Sequence, residues 1–108
     1  MPPTTTDVKL IAMIRRHAGA WSRWGRLAKQ NERDPRIDAL ADECCELEPI
    51  IVAMPAVTKA GLAAKRRMIA KVGYAAVNGR RELATGDVGA LVDAILTLDA
   101  ERVAAAAT

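Results

Sequence analysis

An all-α fold, a three- to four-helix bundle built from two helical hairpins, follows from three features of the sequence. Apolar residues recur with helical period in four stretches. Helix stop and start signals fall between them, at Asp34-Pro35, Met54-Pro55, Asn78-Gly79 and Asp87. The charges of the four stretches run basic, acidic, basic, acidic, the order that suits neighbouring helices paired as antiparallel hairpins. The 108 residues make a single helical domain, 1–108. Its halves match in charge order but not residue by residue, so the chain is not an internal repeat.

Residues 1–6, MPPTTT, read as a frayed lead-in, with Thr6 or Asp7 capping the helix that follows. That helix runs from about Val8 to Gln30, roughly 35 Å at 1.5 Å per residue. Leu10, Ile14, Ala18, Trp21 and Ala28 share one face, with His17 and Trp24 on its flank. The opposite side carries Arg15, Arg16, Arg23, Arg26, Lys29 and Arg33, and no acidic residue occurs between Val8 and Asn31. Gly19 and Gly25 weaken this helix by ~1 kcal/mol each relative to Ala unless another backbone packs against them.

Asp34-Pro35 restarts the chain as a cap followed by proline in the first helical position. The second helix, from about Pro35 to Ala53, stacks Ile37, Leu40, Ala41, Cys44, Leu47 and Ile51 on one face, with Asp38, Asp42, Glu43 and Glu46 off it. Pro49 removes the bond to the carbonyl of Cys45 and is expected to kink or divide this helix. Pro55 then ends it, because Met54 before the proline is biased away from the α region. Thr58 offers its hydroxyl to the free N–H groups of a third helix beginning near Lys59, and so short a joint makes the flanking helices neighbours.

The third helix extends to Val77, before Asn78-Gly79, with Leu62, Ile69, Val72, Gly73 and Ala76 as its apolar stripe. Its charges, Lys59, Lys65, Arg66, Arg67 and Lys71, are all basic, and Arg80 and Arg81 continue them into the next loop. Asp87 caps the fourth helix, where Val88, Leu91, Val92, Ile95 and Leu98 form a stripe and Asp93, Asp99 and Glu101 are acidic. Residues 104–108 are expected to fray.

The run IIVAMPAVTKAGLAAK, preceded by DVKLIAMI, resembles a group of short alphaproteobacterial helical proteins, many of them encoded near prophages. Their shared pattern is an Asp-x-x-Leu-Ile block, a small-Pro-Ala-Thr-Thr-x-x-Gly joint followed by Ala-Lys, and a closing helix rich in Leu and Asp. Here the pattern falls on Asp7, Leu10 and Ile11, on Met54, Pro55, Ala56, Val57, Thr58, Gly61, Ala64 and Lys65, and on Leu91, Asp93, Leu96 and Leu98. Val57 stands where a second Thr is usual, and Arg66-Arg67-Met68 is bulkier than the pattern. The group has no assigned activity, so the resemblance transfers no functional residue.

Hydrophobic residues make up 51% of the chain, yet there is no Phe, one Tyr and two Trp, and much of the apolar share is Ala. At roughly 25 cal/mol per Å² of buried apolar surface, such a core is thin, which favours a homo-oligomer, with a homodimer as the simplest form. No apolar run approaches the ~20 residues that span a bilayer, and MPPTTTD lacks the regions of a signal peptide. The expected setting is the cytoplasm with no membrane partner, and adjacent Cys44 and Cys45 suit a reducing compartment.

The basic faces are the most informative chemistry. Rows of Arg and Lys at helical spacing can follow a phosphate backbone, in keeping with a net charge of +3 and a pI near 9.2. The alternative is that they pair with the acidic helices or are simply solvated. No helix-turn-helix fits, because the loop after Asn78-Gly79 is long and carries Arg80, Arg81 and Glu82.

Catalytic and cofactor chemistry lacks parts. Adjacent cysteines on a helix diverge by about 100°, and His17 is the only histidine, too few ligands for a closed zinc site. Cys44 reads as core, and Cys45 as a flank residue able to cross-link a dimer on oxidation. His17 reads as a packed residue with one satisfied nitrogen, Ser22 as a serine without an acid–base partner, and Trp21 and Trp24 as core or dimer-interface residues. Thr85-Gly86-Asp87 is a helix start rather than a phosphate cradle. Asp38, Asp42 and Glu46 have the spacing of a solvated face, or of a divalent-metal site shared across a dimer.

The expectation is a non-enzymatic helical protein-interaction module of a bacterial or prophage gene set, without cofactor or metal. The alternative is a small nucleic-acid-binding accessory protein using the basic faces of helices one and three. Either way the candidate surface is Arg15, Arg16, Arg23, Arg26, Lys29, Lys65, Arg66 and Arg67. Arg15, Arg23, Arg26 and Arg66 turned towards Asp38, Asp42 and Glu46 favour the first reading, and the same four gathered on one open surface favour the second.

Overall fold

The computed structural model describes residues 6–79 and 86–106, with side chains placed for 6–72 and 89–106. Four helices among the described residues make an all-α bundle: α1 (Val8–Gln30), α2 (Arg36–Ala53), α3 (Lys59–Gly79) and α4 (Gly86–Ala106). Among the described residues, α1 packs along α2 and on α3, α4 packs on α3 and α2, and α1 and α4 do not meet. The α2–α3 pair therefore forms the middle of the molecule, bent at the Pro55 joint. The core gathers there, around Leu10, Leu47, Ile51, Ala56, Leu62, Ile69 and Val72.

Several boundaries differ from expectation for local reasons. Asp7 precedes α1, but its side chain makes no capping bond there. It is drawn to the start of α3 instead. Asp34 does cap the next helix, since its carboxylate accepts the Arg36 N–H at 2.9 Å and the Arg36 guanidinium at 2.7 Å. Pro49 does not divide α2, which is continuous through it. Both Pro49 and Cys45 are exposed, so the missing bond falls on the solvent side of the helix.

The α3 backbone continues through Asn78 and Gly79 instead of stopping at Val77, and α4 persists to Ala106 instead of fraying at 104. The expected Asp87 cap and the basic pair Arg80 and Arg81 lie outside the described residues. The inward stripe of α4 also differs from expectation. Val92, Asp99 and Val103 are buried, whereas Leu91 and Leu98 are 60% and 50% exposed. In α1 the inward line runs through Leu10, His17 and Ala20, which puts His17 at the centre of the buried face and not on its flank.

Candidate functional site

Three charged side chains close the Pro55 joint. The turn leaves the N–H groups of Ala56, Val57 and Thr58 without helical partners, and the Met54 carbonyl likewise. From the start of α1, the Asp7 carboxylate accepts from the Val57 N–H at 3.0 Å, the Thr58 N–H at 2.8 Å and the Thr58 hydroxyl at 2.6 Å. The Thr58 Oγ1 in turn accepts the Gly61 N–H at 3.0 Å, the capping role expected of it. A Cβ on Gly61 would overlap the Asp7 carboxylate, so this closeness requires glycine. The negative charge also sits at the positive end of the α3 dipole.

The other half of the joint comes from α3 and α4. Asp99 accepts from the Ala56 N–H at 3.2 Å, from Arg102 at 2.8 Å and from Lys65 Nζ, which also donates to the Met54 carbonyl at 2.8 Å. Lys65 and Asp99 side chains are both wholly buried. A fully hydrogen-bonded charge pair survives such burial, whereas removal of either partner strands the other. No described buried side-chain nitrogen or oxygen lacks a hydrogen bond. The joint is thus a satisfied staple that fixes α1, α3 and α4 relative to α2.

A second buried pair lies between α1 and α2. His17 Nε2 is 2.9 Å from Glu48 Oε2, and the Trp21 ring stacks on the imidazole at a centroid distance of 5.7 Å. His17 is therefore the packed residue with a satisfied nitrogen that its position suggests. Lys71 Nζ stands 6.0 Å from the centroid of Trp21 on the α3 side. Trp24 is 38% exposed and outside the core.

Above His17, α1 and α3 frame an open groove of about 500 Å³. Its apolar lining is half alanine: Ala18, Ala60 and Ala64 beside Ile11, Ile14 and Met68. Its exposed rim is cationic, made by Arg15 of α1 and by Arg67 and Lys71 of α3. A second groove of about 650 Å³ lies between α1 and α2, lined by Arg23, Arg26, Leu27, Gln30, Arg36, Ala39, Leu40 and Glu43.

The basic residues singled out by the sequence thus divide. Arg16 pairs with Glu43 at 2.7 Å, an exposed contact. Arg15 and Arg67 border the first groove, Arg23 and Arg26 the second, and Lys29 and Arg66 are exposed elsewhere. Among the described residues, none of these six forms an ion pair, nor do Asp38, Asp42 and Glu46. Lys65 leaves the candidate surface altogether, because it is buried against Asp99. Cys44 is buried and Cys45 exposed, and no cluster of metal-ligating side chains occurs among the described residues.

Sequence reasoning missed Asp7 as a cap in trans, Glu48, and the Lys65–Asp99 pair. A signal for the last was present. Lys65 occupies the inward position between Leu62 and Ile69, and Asp99 the one between Val92 and Val103, each a lone charge inside an apolar stripe. No protein family, curated protein or solved structure matches the chain. No described helix is long and apolar enough to cross a membrane.

Proposed function

We propose that this is a non-enzymatic helical interaction module that binds another protein by accepting an acidic amphipathic helix in the α1–α3 groove. The supporting observation is the pairing of an apolar, alanine-rich groove with Arg15, Arg67 and Lys71, exposed at its rim and without ion pairs among the described residues. Small residues let a helix approach closely, burial of its apolar face supplies affinity, and rim cations set its direction and speed its arrival. From Ala60 to Lys71 the groove wall is roughly 16 Å long, about three helical turns. The module works in the cytoplasm, as a homodimer, and the resemblance at the Pro55 joint supplies the bacterial or prophage setting.

The test is a titration with an 18-residue helical peptide bearing Leu along one face and Glu on both flanks, followed by tryptophan fluorescence. Trp21 lies beside Lys71, so saturable binding should change its emission and weaken with salt. Arg67→Glu with Lys71→Glu should abolish the response. Equal binding of a scrambled peptide of the same charge would refute a groove that reads a helix.

A nucleic-acid accessory role is the second reading, favoured by Arg23, Arg26 and Lys29, which lie away from the groove and form no ion pair among the described residues. Light scattering with fragmented DNA at low and high salt separates the two. A complex whose affinity falls steeply with salt would make these arginines the functional surface.

A further inference from the structure

The molecule carries its own match to the groove. On the outer face of α2, Asp38, Asp42 and Glu46 follow one another at four-residue spacing, exposed and without ion pairs among the described residues. Beside them on the same face lie Ala53 and Ile50, the latter 49% exposed. The acidic row covers about 12 Å, within the roughly 16 Å of groove wall. Within one chain the two faces do not meet, because α2 turns its opposite face, with Cys44, Leu47 and Ile51, into the core.

We infer that the acidic helix held in the α1–α3 groove is α2 of a second copy of this chain, with Asp38, Asp42 and Glu46 facing Arg15, Arg67 and Lys71. This inference rests on the groove reading above and names its occupant. Charge complementarity selects the pair, and Ile50 and Ala53 against the alanines of the groove supply the contact area. Exposed ion pairs alone contribute little and are screened by salt, so association weakens as ionic strength rises but does not vanish. An external acidic helix then binds by displacing the second copy.

Charge reversal tests this by complementation, with sedimentation velocity as the readout and circular dichroism confirming that each variant is folded. One variant carries Arg15→Glu, Arg67→Glu and Lys71→Glu, and the other Asp38→Lys, Asp42→Lys and Glu46→Lys. All six residues are exposed. Wild type should associate, each variant alone should associate at least tenfold more weakly, and a mixture of the two should recover the wild-type mass. Recovery is the decisive result, since damage to folding does not cure itself on mixing. Wild-type chains that stay monomeric, or variants that associate as wild type does, would overturn the inference.

Peptide binding keeps this outcome separate from the parent reading. The α2-reversed variant retains an intact groove and should bind the acidic peptide at least as well as wild type. Peptide binding by a chain that remains monomeric removes the second copy and leaves the groove reading standing. Failure of the peptide to bind that variant removes the groove reading itself.

Discussion

Gly61 and Asp7 are far apart in sequence but hold each other in place, and Gly61→Ala is the smallest change that separates them. The added methyl would push the Asp7 carboxylate off Val57 and Thr58. Loss of that cap should cost about 1–2 kcal/mol, read from urea unfolding, although alanine is the better helix former. No loss of stability would show that the carboxylate relocates freely. Lys65→Met should cost more, about 3–5 kcal/mol, because it leaves Asp99 buried with Arg102 and one backbone N–H. A loss below ~1 kcal/mol would mean that water or a shifted side chain takes the place of the ammonium. The sequence discloses little of this. A carboxylate before a helix looks like that helix's own cap, and only three-dimensional proximity reveals that Asp7 serves another.

Each helix keeps its own record of what was locally decided. Apolar period and proline placement were enough to locate α1 to α4, because these are properties of neighbouring residues. Which charged residues turn inward was not, since Lys65 and Asp99 are acceptable only as a pair. Gly19 and Gly25 provide a test at this scale. A Cβ at either would meet nothing within 4 Å, so the close packing that justifies a helical glycine is missing. Gly19→Ala and Gly25→Ala should each stabilise the protein by up to ~1 kcal/mol in thermal melts, and destabilisation would point to a contact made by another molecule. The start of α2 supplies a pH test. Hydrogen bonds from the Arg36 side chain and backbone lower the Asp34 carboxyl from 3.8 to about 2. Its contribution to stability is therefore complete above its ordinary value and is lost as pH falls through about 2. An NMR titration of Asp34 with an ordinary midpoint would show that the cap is not formed in solution.

Across the whole molecule, the bundle was readable and the groove was not. The sequence placed Arg15 and Arg67 on exposed faces, but the space between them depends on how α1 lies against α3, which the joint decides. That joint also ties distant parts of the chain together. Asp7 reaches Val57 across 50 positions and Asp99 reaches Ala56 across 43. Synthesis delivers these partners in order. Until α4 has been made, Lys65 and the Ala56 N–H lack the carboxylate that satisfies them and must remain in water. The first three helices can collapse early, but they cannot close the turn at Pro55 until residue 99 is at hand. A chain cut short before Asp99 should accordingly be digested by proteases that the intact protein resists.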